Sequence, residues 1–172
     1  TLLKNALTHD DTPVEIRFDN LNAEVTFAAG NLKCRLIEGR YPNYNSVIPT
    51  DNPCQMTIDR RALLGSVKRI LPFASESSQS IRLRLGIGQV EASSEDIDFA
   101  TSAKETIVCD YNGTPMSIGF KGPSLVEILS SLTSDEVLME LADPSRPCLI
   151  FPSEQPEGQN ILMLIMPMLL ND

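Results

Sequence analysis

Along most of this chain apolar and polar residues alternate one by one, and in two stretches the apolar positions recur at helical spacing instead. The first pattern predicts half-buried strands and the second amphipathic helices. Residues 2–7 read as the end of a helix, and alternating runs follow at 14–18, 23–27 and 32–37, with turns at Asp19-Asn20 and Gly30-Asn31. A strand at 55–58 then meets Asp59, a helix-capping residue type, which opens a helix over 60–71 that Pro72 and a serine-rich stretch to Ser80 end. Strands follow at 81–85, 89–93 and 100–109. The same order then returns: a strand at 116–120, a helix to Leu132 with Pro123 in its first turn, and strands at 137–141, 148–151 and 161–166.

Three segments therefore share one order of events, a helix followed by three strands, and two of them carry a further strand in front. Such a unit in series fits neither a doubly wound sheet nor a solenoid of common period. It predicts an α+β fold in which strand-helix-three-strand units form antiparallel sheets with paired helices on one face, two units to a domain. The first unit lacks its opening strand and most of its helix, so Thr1 is expected to fall inside a domain and the chain to be the carboxyl part of a longer protein. Proline and asparagine accumulate between Glu38 and Pro53. Residues 42–53 accordingly read as a connector, with 1–41 belonging to one domain and 54–172 to the next.

Composition adds an aliphatic core, since 42% of the residues are hydrophobic, 5% aromatic and none is Trp. A formal charge of −9 argues at first sight against a polyanion partner. Local charge differs: Arg60, Arg61, Lys68 and Arg69 stand in one segment without an acid. At about 100° per residue, Leu63, Leu64, Val67, Ile70 and Leu71 share one side of that helix, while Arg61 and Lys68 fall together on a flank. Cys34, Cys54, Cys109 and Cys148 are far apart, with no Cys-x-x-Cys pair and no histidine cluster, so reduced thiols of a cytosolic protein are expected. His9, flanked by Asp10-Asp11, reads as a solvated loop residue. Gly86-Ile87-Gly88 is a hairpin turn without the helix and lysine of a phosphate loop, and Asp96-Ile97-Asp98 lacks a third ligand. With no nucleophile and base at hand, neither catalysis nor a cofactor or metal is expected.

The apolar run 161–170 is half of the roughly 20 residues a membrane span needs, and Pro167 breaks it. A buried strand ending near Met166 is expected instead. That leaves Pro167-Met168-Leu169-Leu170 at a sheet edge or surface, a soft apolar site suited to a partner peptide.

The stretch Glu38-Gly39-Arg40-Tyr41-Pro42-Asn43-Tyr44, the connector's Val47-Ile48-Pro49, the repeated units and the terminal Met166-Pro167-Met168 together resemble the bacterial DNA polymerase III beta subunit, the sliding clamp. The resemblance covers essentially the whole chain. It implies the DNA-clamp fold, with 1–41 as the second half of a middle domain, 42–53 as interdomain connector and 54–172 as the third domain. It also implies a cytoplasmic, non-catalytic processivity subunit: a head-to-tail homodimeric ring around double-stranded DNA, served by a clamp loader. Arg60, Arg61, Lys68, Arg69 and Lys4, with Lys121 as a weaker candidate, would then meet phosphates independently of sequence. Short apolar-containing peptides of DNA polymerase III and of other replication and repair proteins would dock on Pro42, Val47, Pro147, Leu164, Met166, Pro167 and Met168. Ser46 and Leu169 stand where the family commonly carries basic residues, which implies a more apolar rim. Ile70 and Leu71 match a position at the subunit interface.

Each assignment has a plainer counterpart: a solvated charged face for Arg61 and Lys68, a rigid loop for Pro42 and Val47, core packing for Ile70 and Leu71. The competing function is a stand-alone β-rich peptide-binding module with no DNA role, and the basic helix is the feature that discriminates.

Overall fold

The structure, a computed structural model, describes residues 2–7 and 11–170. The chain divides into two compact units, residues 1–43 and 44–172. In the first, α1 (Leu2–Ala6) precedes β1 (Glu15–Phe18), β2 (Asn22–Phe27) and β3 (Gly30–Arg35), an antiparallel sheet in that order. Asp19 shapes the first turn by accepting backbone N–H groups of Leu21 and Asn22, both at 2.7 Å. The third strand lies earlier than the expected 32–37. Its register pairs Gly30 with Phe27 across a tight turn, and it runs out at Arg35 because β2 begins opposite, at Asn22.

The second unit contains β4 (Cys54–Asp59), α2 (Arg60–Ile70), β5 (Ser80–Gly86), β6 (Gln89–Asp96), β7 (Thr101–Tyr111), β8 (Met116–Lys121), α3 (Gly122–Ser131), β9 (Glu136–Leu141), β10 (Cys148–Pro152) and β11 (Met163–Ile165). The order is that expected from the hydrophobic pattern, and the protein is α+β. Its antiparallel strands run β11-β10-β9-β4-β7-β6-β5-β8.

The two repeats of this unit exchange their leading strands. β4 pairs along its length with β9, from Cys54↔Leu141 to Asp59↔Glu136, and β8 pairs in the same way with β5. Each leading strand also has a short contact on its other side. For β4 this is β7, between Met56↔Tyr111 and Ile58↔Cys109. For β8 it is a single bridge, Gly119↔Met168, made by the chain beyond β11. The terminal segment therefore passes from one edge strand of the sheet to the other.

Alternation decides which face is buried. Ile81, Leu83 and Leu85 of β5, Ile118 and Phe120 of β8, and Val137 and Met139 of β9 are closed to solvent. Leu63, Val67 and Ile70 of α2 and Leu125 and Leu129 of α3 join them in one aliphatic core, as the helical spacing of those residues requires.

The last strand is shorter than the expected 161–166. The Gln155 side chain captures the backbone of Ile161, accepting from its N–H at 2.7 Å and donating to its carbonyl at 2.9 Å. Those groups are thereby withdrawn from the ladder, and pairing starts only at Met163.

Candidate functional site

Asp59 starts α2 by accepting the Ala62 N–H at 2.6 Å, which satisfies one of the donors a helix leaves free at its first turn. Lys68 and Arg69 lie in its last turn, where positive charge suits the helix dipole. Four basic residues equivalent by composition prove unlike in structure.

Arg60 is buried. Its Nε donates to the Ser134 carbonyl at 2.6 Å and its Nη1 to the Leu129 carbonyl at 3.0 Å. These oxygens lie at and beyond the last turn of α3, where carbonyls lack intrahelical partners. Arg60 therefore belongs to the joint between the helices, which corrects its expected place on the DNA-facing surface. Arg69 forms a two-pronged pair with Glu105 of β7, both contacts at 2.6 Å. This hydrogen-bonded pairing holds the Glu105 carboxyl below the usual carboxylate range and raises the Arg69 guanidinium. Arg61 and Lys68 are exposed, with no ion pair to either among the described residues. They are two turns apart on one flank, about 10 Å along the axis. Lys121 is exposed immediately before α3; the Lys4 side chain lies outside what is described.

Ile70 is fully buried, so its expected place at a subunit interface is corrected to the core, into which the helical spacing turns it. Leu71 is half-buried in a short 3-10 turn, Leu71–Phe73, that lies against β6 and β7. Beside that turn, among the described residues, no strand pairs with the outer edge of β7 from Thr101 to Val108.

The terminal residues form a second surface. Met163 and Ile165 turn toward the core, so Leu164 and Met166, in the opposite phase, point away from it. Leu164 stands across from Leu149, and continuing the Cys148↔Ile165 register places Pro147 opposite Met166. The Pro147 carbonyl accepts the Asn52 side-chain amide at 3.0 Å, as does the Glu140 carbonyl. Asn52 thus ties the segment before β4 to β9 and to the start of β10. Val47 and Met166 are each more than half exposed, while Pro167 and Met168 are half-buried. Leu169, at 87% exposure, contributes an apolar rim. Pro42 is exposed and belongs to the other unit.

Asn52 and Gly119 adjoin this surface and were not singled out by the sequence. Only Gly119 carried a signal: a glycine between Ile118 and Phe120 inside a strand marks close approach of another backbone.

Elsewhere the structure offers little chemistry. All four cysteines are free thiols, and burial pushes Cys148 well up. Among the described residues no group of His, Cys, Asp or Glu is placed to hold a metal ion, and no helix is long and apolar enough to cross a membrane. His9 lies outside the described residues.

Paired repeats of strand, helix and three strands, with the leading strands exchanged, define a DNA sliding-clamp fold. The Pseudomonas aeruginosa DNA polymerase III beta subunit superposes with a TM-score of 0.86 at 24% identity, over 98% of this chain and 45% of that one. The Caulobacter crescentus beta sliding clamp does so with a TM-score of 0.80 at 26% identity, over 91% and 41%. The family model of the DNA polymerase III beta subunit, C-terminal domain, matches residues 45–169, and the chain belongs to that family. Among curated relatives, the beta sliding clamp of Caulobacter vibrioides is 28% identical over 88% of this chain and 39% of its own length, and that of Haemophilus influenzae 27% over 98% and 45%. The chain thus spans less than half the length of these relatives.

Proposed function

We propose that this chain contributes to a ring that encircles duplex DNA and holds the replicative polymerase to it, without catalysing a reaction. The observation that carries the reading is the solvent face of α2, where Arg61 and Lys68 are exposed and have no ion pair among the described residues, in a chain of net charge −9. Two such cations on one flank suit contact with phosphates of any sequence, and a contact of that kind permits sliding because no base is read. Acids elsewhere keep the rest of the surface unattractive to DNA. Subunit contact is assigned to the unpaired edge of β7 with Leu71 beside it, since an open edge offers a row of backbone donors and acceptors to a second chain. The terminal surface of Val47, Pro147, Leu164, Met166, Pro167 and Met168 is assigned to short apolar peptides. A Pseudomonas aeruginosa sliding clamp has been solved bound to griselimycin, which makes that compound a useful probe here.

The test is fluorescence anisotropy of a labelled duplex titrated with this chain at rising salt. Arg61→Glu with Lys68→Glu is expected to weaken binding and to flatten the salt dependence by about 1.8 in the log–log slope, the share of two phosphate contacts. A salt-insensitive or unchanged affinity returns both residues to a solvated face and leaves the peptide-binding module. Docking is tested separately with griselimycin and with a short labelled peptide of apolar residues.

A further inference from the structure

The bridge between Met168 and Gly119 has a counterpart in the other repeat. Gly119 occupies in β8 the place of Thr57 in β4, and Thr57 stands opposite Asp110 of β7. At that place β4 has three paired positions and a side chain to spare; β8 has one position and a glycine. The Met168 N–H donates to the Gly119 carbonyl at 2.8 Å. A Cβ on Gly119 would lie 2.7 Å from Leu170 Cδ2 and 3.0 Å from the Met168 carbonyl oxygen. The first neighbour is the end of a flexible side chain and could swing aside. The second is backbone and could not move without lifting the terminal segment.

We infer that Gly119 is a positioning residue for peptide docking: it lets residues 166–170 lie flat across β8 as a strap, so that Met166, Pro167 and Met168 are fixed before a partner arrives. This rests on the docking function proposed above. Preformed surface spares the ordering cost that a loose segment pays on binding, and among the described residues the backbone bridge from this segment to β8 is Met168 to Gly119. Leu170 is held over the glycine while Leu169 points to solvent, so the strap has one anchored and one open face.

The experiment compares Gly119→Ala and Gly119→Val with the unaltered chain by residue-resolved hydrogen exchange and by titration with the short labelled apolar peptide. The Met168 amide is expected to exchange faster in the order glycine, alanine, valine, by at least about tenfold for valine, while Met56 and Met139 in the β4–β9 ladder keep their protection. Peptide affinity should fall in the same order, again by about tenfold or more for valine. Unchanged Met168 exchange overturns the strap. So does faster exchange that Met56 and Met139 share equally, since that is general loss of stability. Equal peptide affinity in all three chains overturns the positioning role. An unaltered chain that binds no peptide sinks the docking function alone, and the exchange measurement still decides whether Gly119 holds the terminus.

Discussion

Arg60 and Arg61 are adjacent in sequence and opposite in consequence. Arg60→Ala removes charged hydrogen bonds to two carbonyls from a buried site, so it should cost about 2–3 kcal/mol, read as a lowered urea midpoint, with no change in the salt slope of DNA binding. Arg61 should show the reverse. Helical spacing groups Arg61 with Lys68 on one flank, but it does not show what removes the other two from solvent contact, because that comes from elsewhere: the carbonyls of Leu129 and Ser134 for Arg60, and Glu105 for Arg69. Spacing within a helix cannot report partners dozens of residues away. Glu105 also sets a pH dependence. Its carboxyl sits below its ordinary value of 4.5 in the folded chain, so its pairing contributes at and above the unfolded carboxyl's range and is lost as pH falls through the lower, folded value. An NMR titration of Glu105 should therefore show a midpoint below 4.5, and Arg69→Gln should bring that midpoint back up.

At the scale of elements, period and punctuation were enough to place every strand and both long helices of residues 44–172. Local chemistry explains this: Asp59 caps, Pro72 stops, and Pro123 suits a first turn. Asp59→Ala is expected to cost about 1 kcal/mol through the Ala62 N–H it leaves unpaired, seen as a fall in melting temperature with the fold retained; Asp59→Asn should preserve most of the cap. Element ends were less legible where a side chain competes with the ladder, as Gln155 does at Ile161. Pairing was less legible still. Alternation marks which face of β4 is buried, yet nothing in it says that β9 lies on one side and β7 on the other. The terminal surface was read in part, since Met166-Pro167-Met168 announces itself, whereas Asn52 acts through carbonyls of Glu140 and Pro147 far along the chain.

Taken whole, residues 44–172 share one core to which both repeats contribute, so damage at one point should be felt throughout. Phe120 is fully buried in β8 and belongs to that core. Phe120→Ala should lower stability by about 3–5 kcal/mol, as a shift in urea midpoint with unchanged slope, the mark of one cooperative unit. The exchanged strands also bear on how such a chain is made. β4 is the first strand of this unit to leave the ribosome, yet its principal partner β9 lies roughly 80 residues later. At a synthesis rate of about 5–20 residues per second, β4 waits on the order of 4–16 s with one flank unpaired. In that interval a nascent chain presents an open edge to its neighbours on a polysome, and the polar Gln55, Thr57 and Asp59 that alternate with Met56 and Ile58 keep one side of that waiting strand hydrophilic.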